Sequence, residues 1–295
     1  MPKLVANSDT PQTVGELLQA GTAWLERRNV EFSRVVCEQL ASHLLHCPRL
    51  ELLLHVREIP PAPVVEAWRN GLKRVAEGEP LQYVLGEWDF RSLTLAVDRR
   101  TLIPRPETEE LVDLVLAEKT IWDQPHPLIV DVGTGSGCIV LSLATERPQG
   151  RYVAVDASAE ALSLARENAA RCGATERVEF RHAQGAGEFP AGSVDALVAN
   201  LPYIPAATVN TLARHVRDHE PRMALDGGAD GLDIVRAVVR DAAMVLRPFG
   251  WIFLEIGDEQ GIAVAEWMER MGLVHITILP DLSGKTRFAR ARHSG

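Results

Sequence analysis

The strongest constraint on the fold is an alternation of short apolar runs with helical segments from residue 128 onward. The runs LIVDV, YVAVD, VEFRHA, DALVAN and GWIFLEIG predict strands, and helical apolar spacing recurs between them. Such alternation is typical of a mostly parallel sheet that helices cover on both faces. The last two runs, HITILP and TRFARAR, predict an antiparallel pair. The predicted fold class is therefore α/β.

The first third of the chain has a different pattern. From residue 13 to residue 78 the apolar period is helical and predicts a bundle of about four short helices. Residues 79–106 carry β-prone runs around Gly86 and Arg91-Ser92, which predict a β-hairpin. We therefore divide the chain into a helical docking domain (1–78), a hairpin linker (79–106) and an α/β domain (107–295).

Charge and cysteine content exclude several classes of protein. With 31 Lys+Arg against 40 Asp+Glu the net charge is −9, which disfavours direct binding of nucleic acid. The four cysteines include no CxxC pair, so neither a disulfide framework nor a metal site is predicted. The chain shows no signal peptide and no long apolar run. We expect a cytoplasmic protein without a membrane segment.

A glycine-rich loop follows the strand LIVDV and precedes a helix, at the sheet edge where ligands bind. Its spacing is G-x-G-x-G, one residue shorter than the dinucleotide pattern, and Asp131 before it would oppose a phosphate. Both features favour a cationic nucleoside, S-adenosylmethionine, with NAD as the alternative. The predicted cofactor-binding residues are Gly133, Thr134, Gly135, Ser136 and Gly137.

A second acidic residue, Asp156, ends the strand YVAVD about 20 residues beyond the loop. A carboxylate at that position accepts hydrogen bonds from a ribose diol. Asp156 is therefore also predicted to bind the cofactor.

The segment Asn200-Leu201-Pro202-Tyr203 follows the strand DALVAN at the same sheet edge. Pro202 holds Leu201 extended, so that its carbonyl can point outward beside the Asn200 amide oxygen. Two acceptors can grip both hydrogens of a planar NH₂ group and hold its nitrogen in line with a sulfonium methyl group. Tyr203 can stack on the flat amide or base.

Several segments together resemble the bacterial peptide chain release factor glutamine methyltransferase family, also known as PrmC or HemK. They are PLQYVLG, LIPRPETEELV, DVGTGSGCIVLSLA, ANLPYI, EPRMALDGGADGLD and FLEIGDEQG. The resemblance implies a helical N-terminal domain, a hairpin linker and a Rossmann-like, seven-stranded class I methyltransferase domain. It also implies methyl transfer from S-adenosylmethionine to the glutamine side-chain nitrogen in the Gly-Gly-Gln motif of class 1 release factors, its protein partners.

The resemblance also implies roles for individual residues. Asn200 would contact both cofactor and substrate, and Asn200, Pro202 and Tyr203 would be catalytic. The implied substrate-binding residues are Asn200, Leu201, Pro202, Tyr203, Arg105 and Glu107.

Two positions depart from the family pattern. Leu201 stands where a proline is usual, but the predicted contact uses only its backbone carbonyl. Gln184 and Gly185 stand where the family has an Asp and a bulky residue near the adenine, which makes Gly185 a predicted cofactor contact with altered chemistry.

Three alternatives remain open from the residues alone. Asn-Leu-Pro-Tyr also occurs in ribosomal-RNA adenine dimethyltransferases, where the clamp suits an extruded adenine. The acidic charge, the N-terminal extension and EPRMALDGG argue against that enzyme. A ribosomal-protein glutamine methyltransferase would share the clamp. A protein that binds without turnover would explain the altered Gln184-Gly185 pair.

Overall fold

The computed structural model describes residues 12–295, so residues 1–11 of the predicted N-terminal domain lie outside it. The helices are α1 Val14–Glu26, α2 Ser33–Leu45, α3 Leu52–His55, α4 Ala62–Ala76, α5 Leu81–Leu85, α6 Pro106–Ala117, α7 Lys119–Trp122, α8 Cys138–Glu146, α9 Ala159–Arg171, α10 Ala206–Val209, α11 Arg214–Arg217, α12 Asp233–Val245 and α13 Gly261–Arg270. The strands are β1 Glu87–Phe90, β2 Leu93–Ala96, β3 Leu128–Val132, β4 Arg151–Asp156, β5 Val178–His182, β6 Val194–Asn200, β7 Leu246–Glu255, β8 Leu273–Pro280 and β9 Thr286–His293.

The chain forms two compact units. The first contains the described residues up to Gly86 together with Arg214–His219, and the second contains Glu87–Ala213 and Glu220–Gly295. Whether residues 1–78 act as a docking domain and residues 79–106 as a linker stays a prediction.

Helices α1 to α4 lie within residues 13–78, where the helical apolar period predicts about four helices, and α5 and α11 complete the first unit. Leu25, Cys37 and Leu72 are fully buried in its core, and Trp68 is 3% exposed. Thr13 begins α1 with a capping box to Glu16, which satisfies backbone donors at the helix start. Burial of one apolar face is therefore what holds these short helices together.

The hairpin is shorter than the sequence predicts. Residues Leu81–Leu85 are helical, not extended, because Pro80 precedes them and Gly86 ends the turn in the left-handed conformation at φ 77°. Strands β1 and β2 then pair antiparallel across the predicted Arg91-Ser92 turn.

The second unit contains the predicted α/β sheet. Its strand order is β5-β4-β3-β6-β7-β9-β8. The first five are parallel neighbours, whereas β9 pairs antiparallel with both β7 and β8. The fold class and the antiparallel end of the sheet are confirmed.

Alternate strand residues feed two separate cores, one on each face of the sheet. Val130 and Val132 pack on the side of α12 and α13. Ile129 faces the other side with residues of α6 and α8. Both faces are therefore covered, which leaves the strand ends as the place for a ligand. No helix of residues 12–295 has the length and apolar content needed to cross a membrane.

Candidate functional site

A pocket with a water-accessible volume of about 230 Å³ lies at the carboxyl ends of the parallel strands. Strands β3 and β6 are neighbours there, and their connections leave in opposite directions, which makes this the switch point of the sheet. Nine of the predicted site residues line the pocket: Arg105, Gly133, Thr134, Gly135, Ser136, Asp156, Asn200, Leu201 and Pro202. Gly137, Gly185, Glu107 and Tyr203 are not among its lining residues.

The glycine loop is shaped by its backbone. Gly133, Gly135 and Gly137 have φ values of 74°, 54° and 84°, which favour glycine over any residue with a Cβ. The Gly133 and Thr134 amides both donate to the Val155 carbonyl, at 2.8 and 3.1 Å. The loop is therefore fixed against β4 and turns directly into α8.

Asp156 supports the loop as well as lining the pocket. Its Oδ2 accepts from the Gly135 amide at 2.9 Å and its Oδ1 from the Ser158 amide at 2.8 Å. Burial raises the pKa of Asp156, and these backbone donors oppose the rise. A carboxylate has about four acceptor positions, so lone pairs remain for a ligand diol.

Asp131 does not face the pocket, so the expectation that it would oppose a bound phosphate is wrong. Its side chain is fully buried and its Oδ2 accepts from Thr134 Oγ1 at 2.7 Å. Burial raises the pKa of Asp131 to about 7. Asp131 therefore acts on the loop from beneath, through Thr134.

Sequence reasoning missed a buried amide that ties the hairpin to the loop. Asn168 of α9 donates to the Ser136 and Ala96 carbonyls at 2.9 and 3.1 Å, and its Oδ1 accepts from the Ala96 amide at 2.7 Å. The only sequence signal for Asn168 is that a polar amide stands on the apolar face of an amphipathic helix.

The Asn-Leu-Pro-Tyr segment begins at the end of β6. Leu201 is 4% exposed, and a Cβ on Gly133 would lie 3.2 Å from Leu201 Cδ2. The leucine that replaces the family's proline thus fills the core beside the glycine loop. Asn200 keeps its side chain at the pocket, where Nδ2 donates to Thr108 Oγ1 at 3.0 Å.

Tyr203 is held from both ends. Its carbonyl accepts from Gln260 Nε2 at 2.8 Å, and its hydroxyl donates to Glu255 Oε1 at 3.4 Å. Arg287 Nη1 lies 3.5 Å from the same hydroxyl. Burial raises the pKa of Tyr203 to about 12, so the phenol stays protonated at neutral pH.

The EPRMALDGG segment lies against the Asn-Leu-Pro-Tyr segment. The Gly227 amide donates to the Ile204 carbonyl at 2.9 Å, and the Ala206 amide donates to the Gly228 carbonyl at 2.8 Å. A Cβ on Gly227 would lie 2.6 Å from the Pro202 carbonyl oxygen. Glycine is therefore required for this close approach.

The LIPRP segment is fixed by a buried carboxylate. Arg105 Nη2 donates to Glu220 Oε1 at 2.6 Å, and the Ile103 amide donates to Glu220 Oε2 at 3.2 Å. The Glu220 side chain is fully buried, so this is not a solvated ion pair. It holds Arg105 at the pocket wall, whereas Glu107 is half-buried on the first turn of α6.

Two further buried residues complete the site. Thr108 of α6 and Glu255 of β7 are 1% and 2% exposed, and Thr108 Oγ1 donates to Glu255 Oε2 at 2.7 Å. Burial raises the pKa of Glu255 to about 7. Glu255 pairs with Asn200 in register across β6 and β7. A carboxylate at the end of a buried strand, as at Asp156, is the signal that could have found it.

Comparison with known proteins places these features in a family. A family model described as the PrmC N-terminal domain matches residues 16–86, and a methyltransferase domain model matches residues 129–219. The release factor glutamine methyltransferase of Moorella thermoacetica is 40% identical over 94% of this chain and 95% of its own. That of Cereibacter sphaeroides is 38% identical over 94% and 97%.

This chain belongs to the release factor glutamine methyltransferase family. The family extends to eukaryotes, since the human MTRF1L release factor glutamine methyltransferase is 34% identical over 95% of this chain and 87% of its own. The resemblance predicted from the sequence is confirmed.

A solved structure supports the fold alone. The hMettl16 catalytic domain, crystallised in complex with the MAT2A 3'UTR hairpin 6, matches with a TM-score of 0.55 at 14% identity. The match covers 79% of this chain and 82% of that one.

The residues at the pocket fit S-adenosylmethionine, the cofactor that the sequence predicts for this family member. Gly135 lines the pocket, and a Cβ there would meet no atom nearer than 4.0 Å, so open space adjoins the loop backbone. Asp156 offers acceptors beside that space. Among residues 12–295 no cluster of three or more His, Cys, Asp or Glu side chains is arranged to hold a metal.

Proposed function

We propose that this protein transfers a methyl group from S-adenosylmethionine to the side-chain amide nitrogen of the Gly-Gly-Gln glutamine of class 1 release factors. The observation that carries the proposal is the Asn200 carboxamide, which lies at the pocket with its Nδ2 committed to Thr108. Its Oδ1 is thereby left to accept from a substrate. Membership of the release factor glutamine methyltransferase family supports glutamine as that substrate.

The glycine loop and Asp156 would hold the cofactor. Backbone of Gly133–Gly137 approaches it without side chains in the way, and the remaining lone pairs of Asp156 accept from its ribose. When bound, S-adenosylmethionine supplies an electrophilic methyl group on a cationic sulfur. Gly185 would act near the adenine only indirectly, since its missing Cβ faces Asp241 Oδ2 at 2.6 Å.

The Asn-Leu-Pro-Tyr segment would hold the acceptor amide. Asn200 Oδ1 and the Leu201 carbonyl accept its two N–H groups, which fixes the plane of the amide and leaves one face of the nitrogen open. Both acceptors interact more strongly as positive charge develops on that nitrogen. Positioning of a neutral nitrogen therefore replaces a strong base. Arg105 and Pro202 would form the surrounding wall, and Glu107 and Tyr203, which do not line the pocket itself, would contact the substrate beside it.

Labelled S-adenosylmethionine tests the substrate directly. The protein is incubated separately with a class 1 release factor, with the same factor carrying Gln→Ala in Gly-Gly-Gln, with ribosomal proteins and with ribosomal RNA. We expect label on the unmodified release factor alone. Label on RNA alone would favour the adenine methyltransferase, and label on a ribosomal protein alone would favour the sister glutamine enzyme.

Calorimetry separates a functioning enzyme from a protein that binds without turnover. Heat on titration of S-adenosylmethionine with label on the release factor supports the enzyme, whereas binding without any transfer supports the alternative. We place the reaction in the cytoplasm, because the four cysteines are free and class 1 release factors act in translation there. The net charge of −9 argues against direct binding of nucleic acid.

A further inference from the structure

A chain of two hydrogen bonds runs from the pocket into the protein. Asn200 Nδ2 lies 3.0 Å from Thr108 Oγ1, and Thr108 Oγ1 lies 2.7 Å from Glu255 Oε2. Thr108 and Glu255 are both buried; Thr108 lines the pocket, whereas Glu255 does not. We call these three residues the Asn200–Thr108–Glu255 chain.

The direction of the hydrogen bonds follows from the chemistry of the end group. An ionised carboxylate only accepts, so Thr108 must use its single hydroxyl proton for Glu255. The Thr108 oxygen is then left as an acceptor toward Asn200, and only the NH₂ end of a carboxamide can donate to it. An amide turned by 180° would place two acceptors, Asn200 Oδ1 and Thr108 Oγ1, against each other.

We propose that Thr108 and Glu255 are positioning residues that hold the Asn200 carboxamide with Oδ1 toward the acceptor amide. The inference rests on the proposed function, in which Asn200 Oδ1 accepts an N–H of the substrate glutamine. Because Glu255 accepts from Thr108 and Thr108 accepts from Asn200 Nδ2, Asn200 Oδ1 faces the substrate. An oxygen at that position favours a substrate group that donates a hydrogen bond over one that only accepts. Discrimination of glutamine from glutamate is thus set by two buried residues that act through Asn200.

The surroundings of Glu255 agree with this role. Its second oxygen, Oε1, accepts from the Tyr203 hydroxyl, so one carboxylate fixes both ends of the Asn-Leu-Pro-Tyr segment. Arg287 lies beside Tyr203 and supplies a positive charge that lowers the pKa of Glu255, against the larger effect of burial. Glu107 on α6 acts in the opposite direction and raises it.

The first test removes only the hydroxyl. Thr108→Val keeps the shape of the side chain and lets the Asn200 amide turn, whereas Thr108→Ser keeps the hydroxyl. At pH 8 we expect Thr108→Val to lower kcat for release factor methylation about tenfold to a hundredfold, and Thr108→Ser to restore most of it. Thr145→Val is the matched control, since the Thr145 hydroxyl only donates to a helix carbonyl.

The second measurement reports the orientation of the amide and not turnover. Calorimetry with S-adenosylhomocysteine present gives the Kd of a release factor and of its Gln→Glu variant in the Gly-Gly-Gln motif. The wild type should prefer the glutamine form, and Thr108→Val should reduce that preference about tenfold, because a turned amide offers Nδ2 to the carboxylate. A merely structural role of Thr108 would weaken both ligands equally.

Each result decides the proposal. Wild-type kcat and an unchanged Gln/Glu preference in Thr108→Val would overturn it, as would equal losses in Thr108→Val and Thr108→Ser. If Thr108→Val does not fold, Thr108→Ala against Thr108→Ser asks the same question. Failure of the proposed function looks different, since the wild type itself would then leave the release factor unlabelled.

Discussion

The two sides of the pocket are built in different ways. The glycine loop takes its shape from local backbone, with three positive φ values and amides bonded to the neighbouring strand. The Asn-Leu-Pro-Tyr segment is held by side chains and glycines from distant parts of the chain: Thr108, Gly227, Glu255, Gln260 and Arg287. The cofactor side therefore depends mainly on local backbone, to which Asn168 and Asp156 add side-chain support, whereas the substrate side depends on the whole sheet edge.

The largest effect should come from the substrate side itself. Asn200→Ala removes the acceptor for the substrate amide, and we expect kcat to fall about a hundredfold to a thousandfold. S-adenosylmethionine binding should weaken only a few-fold by calorimetry, because the glycine loop and Asp156 remain. Asn70→Ala, at an exposed position of α4 that does not line the pocket, is the control. Transfer at the wild-type rate would reject the clamp.

Two glycine substitutions test whether the cofactor side and the substrate side of the pocket can be disrupted independently. Gly227→Ala would place a Cβ 2.6 Å from the Pro202 carbonyl oxygen, and Gly137→Ala would place one 3.0 Å from Leu141 Cδ1 at φ 84°. We expect Gly227→Ala to lower kcat about tenfold with little change in cofactor Kd. Gly137→Ala should instead raise the cofactor Kd about tenfold.

Gly173→Ala is the control for this pair, because Gly173 also has a positive φ but no atom within 4 Å of its missing Cβ. Gly173→Ala should lower the free energy of unfolding only by the backbone strain of about 1–2 kcal/mol and should leave kcat and the cofactor Kd unchanged. Identical kinetic profiles for Gly227→Ala and Gly137→Ala would show that the two sides are not separable.

The same contrast explains what the sequence could predict. The strand segments along the chain, the glycine loop and Asp156 follow from local patterns, because period and φ preference are properties of neighbouring residues. The helix at Leu81–Leu85 was missed because its apolar residues suit a strand equally well. Thr108 was missed, because no local pattern indicates that α6 brings it to Asn200 across 92 positions of the chain.

Asp131 illustrates the opposite error. Its position at the end of β3 is the kind that faces a ligand, but its side chain points beneath the loop to Thr134. Whether a strand-end residue points into or below the crevice depends on the register of that strand. A one-residue shift would reverse the answer.

The pH dependence of kcat tests the role of Glu255 on the substrate side of the pocket. Burial raises the pKa of Glu255 to about 7, so below that pH the group is protonated and can donate to Thr108, which reverses the chain. We expect kcat to rise with pH with an apparent pKa near 7 in the wild type. In a plot of kcat against pH, Glu255→Gln should remove this rise, which we call the acid limb, and should lower the kcat at high pH severalfold.

The pKa of Glu255 also depends on Glu107, Tyr203 and Arg287. The acid limb must therefore be compared between variants at fixed ionic strength. Exposed Glu266→Gln should retain the wild-type profile. Persistence of the limb in Glu255→Gln would assign it to another group and contradict the role of Glu255.

The smallest effect is expected on the stability of the cofactor side. Burial raises the pKa of Asp131 in the folded protein to about 7, from the ordinary aspartate value of 3.8. The folded protein therefore holds this proton more tightly than the unfolded chain, so Asp131 lowers stability as pH rises through that interval and has no further effect above about 7. In urea denaturation, the wild type should lose about 1 kcal/mol more unfolding free energy between pH 6 and pH 7 than Asp131→Asn loses. Its kcat at saturating cofactor should stay near the wild-type value, because Asp131 acts through Thr134 on the cofactor side alone. A changed kcat with unchanged cofactor affinity would show that the glycine loop also positions the substrate side, and the contrast between the two sides would then fail.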